Sequence, residues 1–364
     1  MKSDEAVEAL SERIRAAGRD GRRLRIRGGG SKDFYGEPCE GEALDTRSLD
    51  APAEHEPTEL VVTASAGMRL QALEEQLAAA GQRLAFEPPH FGPAATVGGM
   101  IAAGLSGPSR AAAGSVRDHL LGVTLLSGTG ELLHFGGRVI KNVAGYDVSR
   151  LIAGSLGILG VVVEASLKVL PMAEASATRR FDLTPGDALA ALQAWGRQPL
   201  PLDASAWWNG NLVVRLSGAA AAVHQACETL GGDAIGDELA DPFWEGLREH
   251  TDPFFEAAAE AIAHQDATLW RLSLPPATPP LGLAGDELIE WHGGQRWLAS
   301  ALPAGQVRAA AVAAGGHATL FRGADRSGGT FTPLSAPLAR IHQRLKLAFD
   351  PHGVLNAGRL YPGL

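Results

Sequence analysis

The chain has 364 residues, a length that suggests two domains, with 45% hydrophobic and 20% charged residues, as in an ordinary globular protein. Its net charge of -9 argues against general nucleic-acid binding, which favours a basic surface. The two cysteines, Cys39 and Cys227, read as free thiols and are too few to hold an iron–sulfur cluster, so any cluster the chain serves sits on a partner.

The opening Met1-Lys2-Ser3-Asp4-Glu5 has no apolar signal segment, so the expected location is cytoplasmic, with any membrane association coming through partners. Ser3 caps a predicted first helix that presents Val7, Leu10 and Ile14 on one face and ends near Gly18. Leu24-Arg25-Ile26-Arg27 alternates like a strand. The local arginines Arg19, Arg22, Arg23, Arg25 and Arg27 read as a solvated face. Gly28-Gly29-Gly30 then removes every β-carbon where the strand ends. Such a loop turns sharply and offers backbone N–H groups to an anion, with Ser31 and Lys32 adding a hydroxyl and a charge. A surface turn is the plain alternative.

A strand over 60–63 and a helix over 68–80 follow, the helix turning Leu70, Leu73 and Leu77 inward and stopping at Gly81. This start is β-α-β, so the region reads as α+β or α/β. A strand pair spans 120–126 and 131–135. Asp147 caps a short helix through Ala153, and 157–169 is a buried strand. The apolar stretch 151–163 is interrupted by glycines and too short to span a bilayer. Beyond residue 175, alanine-rich helices over 187–195, 219–230, 254–264 and 303–314 alternate with strands. Asn209-Gly210 is the strongest hairpin signal, and the proline cluster 275–280 reads as a linker between two similar β/α halves. A last helix covers 334–349.

No P-loop, G-x-G-x-x-G, C-x-x-C, H-E-x-x-H or G-x-S-x-G pattern occurs, so neither a metal site nor a serine nucleophile has sequence support. Four glycine-rich segments remain, in fixed order: residues 26–32, 88–107, 114–122 and 154–163. With Ala95-Thr96-Val97-Gly98-Gly99, Gly154-Ser155-Leu156-Gly157-Ile158-Leu159-Gly160 and the tail from Phe349-Asp350-Pro351 to Asn356-Ala357-Gly358-Arg359, the set resembles the FAD-binding domain of the p-cresol methylhydroxylase and vanillyl-alcohol oxidase superfamily. The resemblance covers 5–172 and 335–362. It implies an α+β fold: an FAD-binding domain of two α/β subdomains over 1–172, an α+β cap over 173–334, and a segment over 335–364 returning to the first domain.

The resemblance implies FAD contacts from Arg27, Gly28, Gly29, Gly30, Ser31 and Lys32, with the pyrophosphate on the glycine loop. Further contacts are expected from Pro89, Thr96, Gly98 and Gly99, from Gly114, Ser115 and Asp118, and from Gly154, Gly157, Val162, Asn356 and Arg359. Covalently flavinylated relatives carry a histidine where this sequence has Ser31, so the FAD is expected to be non-covalent. The run from Arg138 through Lys141-Asn142 to Asp147, with Pro88-Pro89 and Phe331-Thr332, is similar to the small FAD-binding subunits of glycolate oxidase. That resemblance implies a complex with a larger FAD subunit and an iron–sulfur subunit, oxidising a small 2-hydroxy acid to a product such as glyoxylate. Lys141 and Asn142 then join the flavin candidates, or serve a polar turn with Asp147 as a helix cap. No catalytic residue stands out. His317 reads as a core or edge histidine rather than a base, and Arg322 and Arg326 are weaker candidates for a carboxylate. His90 is a candidate for the flavin ring, and Trp207, Trp208, Trp291 and Trp297 for an interface or the cap core. A free-standing flavin oxidase and a non-catalytic scaffold are the competing readings.

Overall fold

The first helix spans Lys2–Asp20, so Ser3 lies within it rather than ahead of it. Leu10, Ile14 and Ala17 carry its buried face, and burial of the Leu10 and Ile14 side chains contributes about 1.5–3 kcal/mol each. The structure is a computed structural model that describes residues 2–137 and 147–364. It forms two compact units.

The first unit comprises Met1–Leu105, Ser115–Met172 and Pro333–Leu364. In it β1 (Leu24–Arg27) pairs in parallel with β2 (Glu42–Asp45). The tail joins this pair, because Leu24 N–H donates to Val354 O at 2.7 Å and Asn356 N–H donates to Leu24 O at 2.9 Å. A five-stranded sheet runs in the order β3-β4-β8-β6-β7. Its strands are β3 (Glu54–Glu56), β4 (Val61–Ser65), β6 (Leu120–Leu126), β7 (Leu132–Gly136) and β8 (Val161–Lys168). Every pairing in it is antiparallel. Two short strands, β5 (Gln82–Arg83) and β9 (Leu170–Pro171), pair with each other. Since β1 and β4 belong to different sheets, the segment is not a β-α-β unit, and the open choice between α/β and α+β falls to α+β. The helix Leu70–Ala79 buries Leu70, Leu73 and Leu77 as its spacing requires, and Gly81 follows it at φ +69°.

The second unit comprises Ser106–Gly114 and Ala173–Thr332. Residues 106–114 were expected in the first domain. They belong here because Trp291 Nε1 donates to Gly107 O at 3.0 Å and Ser109 Oγ to Asp203 Oδ2 at 3.1 Å. An eight-stranded sheet runs β13-β10-β12-β11-β15-β16-β14-β17. Its strands are β10 (Ala175–Asp182), β11 (Leu202–Trp208), β12 (Asn211–Gly218), β13 (Asp233–Ile235), β14 (Thr268–Ser273), β15 (Asp286–Glu290), β16 (Gln295–Ser300) and β17 (His317–Arg322). Each half repeats one strand order in mirrored sense, and the halves join where β11 pairs with β15.

The proline cluster therefore does not separate the halves. It lies inside the second half, between β14 and β15, where the first half carries the helix Pro185–Trp195. Proline cannot donate within a helix, so this stretch crosses as a loop. At the other sequence signal, Asn209 (φ +47°) and Gly210 (φ +81°) turn β11 into β12 with Trp208 opposite Asn211. That is the two-residue turn that Asn-Gly favours.

Candidate functional site

The glycine loop after β1 is pressed against its own domain. A β-carbon on Gly29 would overlap the Ala94 carbonyl, one on Gly28 would stand 2.5 Å from Thr96 Oγ1, and Gly30 adopts φ +77°. Only glycine permits this approach. Among the described residues, the backbone N–H groups of Gly28, Gly29, Gly30 and Ser31 donate to no other protein group. They line a cleft with about 810 Å³ of empty space. Two cations stand beside the row. Arg27 Nε donates to Asp33 Oδ2 at 2.8 Å, while Lys32 Nζ donates to His90 O at 3.1 Å and lies 5.6 Å from the centre of the Phe91 ring.

The opposite wall comes from the Gly154 motif and the tail. Gly154, Leu156 and Gly157 all take positive φ, at +80°, +52° and +76°. A β-carbon on Gly157 would meet Asn356 Nδ2 at 2.7 Å. Both polar atoms of the Asn356 amide make structural bonds: Nδ2 donates to Leu156 O at 2.6 Å, and Oδ1 accepts from Ile26 N–H at 2.7 Å. Arg359 donates to Glu37 O at 2.8 Å and Asp33 O at 2.7 Å, fixing the loop that continues from the glycines. These two residues hold the walls together.

A buried ion pair anchors the tail. Lys346 Nζ donates to Asp350 Oδ2 at 2.7 Å, Ile158 O at 2.9 Å and Leu355 O at 2.7 Å, filling all its donor positions. Asp350 also accepts from the N–H groups of Val354 and Leu355. Burial holds the Lys346 ammonium below its ordinary pKa, with the Asp350 carboxylate opposing. Gly128 is required here as well, since a β-carbon there would stand 2.1 Å from Asp350 Oδ1.

The cleft brings together Arg27, Gly28, Gly29, Gly30, Ser31 and Lys32 with Thr96, Gly98, Gly99, Gly157, Val162, Asn356 and Arg359. Gly98 and Gly99 offer it no free N–H: one donates to Ala66 O at 2.8 Å and the other to Thr96 Oγ1 at 3.2 Å. Their lack of side chains instead permits close packing, for a β-carbon on Gly98 would stand 2.8 Å from that of Ala66. Thr46, Ala66, Ala102 and Ala103 also line the cleft. No motif marked them, because small residues become neighbours only through the fold.

Other candidates lie elsewhere. Pro89 is buried outside the cleft lining, and Gly114 belongs to the second unit. Ser115 and Asp118 are spent on each other, with Ser115 N–H and Oγ both donating to Asp118 Oδ2 at 2.8 Å as a helix cap. Burial opposes the Asp118 charge, but these bonds and Arg117 and Arg150 leave its pKa lowered. Gly154 lines a separate groove. Lys141 and Asn142 lie outside the described residues. Asp147 stands before the short helix Ser149–Ile152, accepting from Ser149 Oγ at 2.7 Å and Arg150 Nε at 2.7 Å. The His90 ring bonds Glu74 Oε2 at 2.9 Å.

In the second unit, His317 is on β17 with its pKa lowered by burial and then by Arg271. Arg322 is also lowered, by burial first and Arg326 second. Trp297 is core, donating to Glu290 Oε2 at 2.6 Å. Trp207, Trp208 and Trp291 are part-buried and donate to Leu183 O, Asp286 and Gly107 O. Cys39 and Cys227 are free thiols.

A row of unshared N–H groups flanked by cations suits a diphosphate, and the apolar wall at Leu156, Val161 and Val162 suits a flat ring. Residues 5–136 match the family described as FAD binding domain. The glycolate oxidase subunit GlcE of Escherichia coli (strain K12) is 46% identical over 357 residues, covering 98% of each chain. The chain belongs to the GlcE family. It is an FAD-binding flavoprotein and an FAD-dependent oxidoreductase subunit. The D-2-hydroxyglutarate dehydrogenase of Xanthomonas citri pv. viticola is 32% identical over 44% of this chain and 34% of its own length. A solved alkyldihydroxyacetonephosphate synthase shares the fold, with a TM-score of 0.61 at 16% identity over 96% of this chain and 74% of that one. No helix among the described residues is long and apolar enough to cross a membrane.

Proposed function

We propose that this GlcE-family chain is the small flavin subunit of a 2-hydroxy-acid dehydrogenase of glycolate oxidase type. In that assembly a larger FAD subunit and an iron–sulfur subunit are its partners. The reaction removes two electrons and two protons from glycolate to give glyoxylate, and the electrons pass toward the iron–sulfur subunit. The observation that carries this reading is the 46% identity, over 98% of each chain, to a glycolate oxidase subunit.

The chain's own residues bind and orient. The N–H groups of Gly28, Gly29, Gly30 and Ser31 would hold the FAD diphosphate, with Arg27 and Lys32 balancing its charge. Asn356, Arg359 and the Lys346–Asp350 pair keep the walls at fixed separation. Bound FAD supplies an acceptor that takes electrons in pairs and releases them singly. Ser31 has no imidazole to form a flavin link, which supports a dissociable cofactor. The domain reading that accompanies this function is an FAD domain over 1–105, 115–172 and 333–364 with a cap over 106–114 and 173–332.

The test is co-expression with the other two subunits and anaerobic mixing with glycolate. The expected result is that the chain alone is yellow and stays yellow, while the complex is bleached. Bleaching of the isolated chain by glycolate would instead make it a free-standing oxidase. Denaturation in detergent is expected to release all the FAD, and flavin that stays with the polypeptide would contradict the non-covalent reading.

A further inference from the structure

The C-terminal helix Ala336–Phe349 carries Leu338, Ile341, Leu345 and Ala348 at intervals of three, four and three residues. This spacing places them in one stripe, as in helices that pair with another helix. Lys346 is the helix's buried residue, whereas Leu338 is 48% and Ile341 53% exposed. The unit that carries the stripe therefore leaves much of it uncovered.

Beside the stripe lies a groove in the same unit, with about 640 Å³ of empty space. Ile158, Leu159, Leu345 and Leu360 supply apolar lining, and Arg117, Arg150 and His342 supply polar lining. Leu151, also in the groove, is 41% exposed. No acidic residue lines it among the described residues. Two acids stand close by: Asp147 pairs with Arg150 at 2.7 Å, and Asp118 accepts from Ser115. Arg340 and Arg344 are exposed on the helix, which has no Asp or Glu. In a chain of net charge -9, this face is apolar and basic.

We propose that the stripe and groove dock another protein subunit through an apolar helix flanked by Asp or Glu. The charge favours that occupant over a second copy of this chain. Self-pairing of the stripe would bring Arg340 and Arg344 of two copies together, and like charges across an interface are costly. The inference rests on the reading of the chain as a subunit of a larger assembly.

The test co-expresses the full chain with the larger flavin subunit and the iron–sulfur subunit and measures co-purification, flavin content and melting. Relative to wild type, the Leu338→Asp/Ile341→Asp variant is expected to keep its flavin and melting temperature while co-purification falls at least about tenfold. Arg344→Glu is expected to weaken it too, and wild-type association to weaken with added salt. Should the double variant lose its flavin, the exposed Arg344→Glu change decides by the same readouts. Undiminished co-purification of a flavin-loaded variant overturns the docking surface and leaves the subunit reading standing. Failure of the wild type to co-purify overturns both. A wild-type dimer that the double variant abolishes assigns the face to a second copy and overturns the proposal.

Discussion

Lys346 and Asp350 form a buried pair whose removal cannot be neutral. The Lys346 side chain is 8% exposed and that of Asp350 is fully buried. Lys346→Met leaves the carboxylate without its cation and frees the carbonyls of Ile158 and Leu355. Breaking such a pair costs about 3–5 kcal/mol. Thermal melting of the variant is expected to show that loss, with weaker FAD retention because both carbonyls sit beside the cleft walls. Unchanged melting would mean that the tail is held by other contacts. Single residues also mark the limit of sequence reading. The glycine run, Gly157 and the Asn356 and Arg359 tail were legible because each removes a side chain or supplies a fixed donor. The Lys346 clamp was not, since a lysine in a helix reads as solvated until its three acceptors are seen around it.

At the scale of elements, the hairpin between β11 and β12 shows local chemistry deciding structure. Gly210 sits at φ +81° with open space where a β-carbon would stand, so Gly210→Ala meets only backbone strain. The expected cost is about 1–2 kcal/mol, read as a lower midpoint in denaturant with FAD binding unchanged. The αL residue His250, after the helix Asp237–Glu249, gives a pH dependence. Burial drives its pKa well below the ordinary 6.5, with Arg322 and Arg271 adding to the effect. The folded ring stays neutral while the unfolded chain takes up a proton below about pH 6.5. Stability is therefore complete above that pH and is lost as pH falls below it. Melting temperatures from about pH 8 to pH 5 should fall on the acid side, and more shallowly in His250→Asn, in proportion to the ring's share. An identical slope in both proteins would contradict this assignment. His317 and His292, also lowered by burial, act in the same sense. Periodicity located the helices over 68–80, 187–195, 219–230, 254–264 and 303–314 and the strands over 24–27, 120–126 and 131–135 within two residues. The strand expected over 157–169, however, begins at Val161, and most strands of the second unit had no bounds from the sequence. The misplaced linker at 275–280 had a topological cause, since a proline loop can replace a helix within a repeated half as readily as join two halves.

At the scale of the molecule, the sequence order of the glycine segments carried the family, and the fold brought three of them to one cleft. Residues 26–32, the Thr96-Val97-Gly98-Gly99 segment and the Gly154 motif meet there with the tail. The segment from Gly114 does not, because Ser115 and Asp118 satisfy one another in a helix cap. No spacing rule distinguishes glycines that face a ligand from those that let two backbones pack, as Gly98 does against Ala66. That distinction appears only in three dimensions. The claim that the loop after β1 is the seat of FAD is tested most directly by titrating FAD into the flavin-free wild-type chain and into Gly29→Ala. A β-carbon at that position collides with the Ala94 carbonyl and moves the loop. One FAD per wild-type chain and binding at least about tenfold weaker in the variant are predicted. Equal affinity in both chains would place the flavin elsewhere.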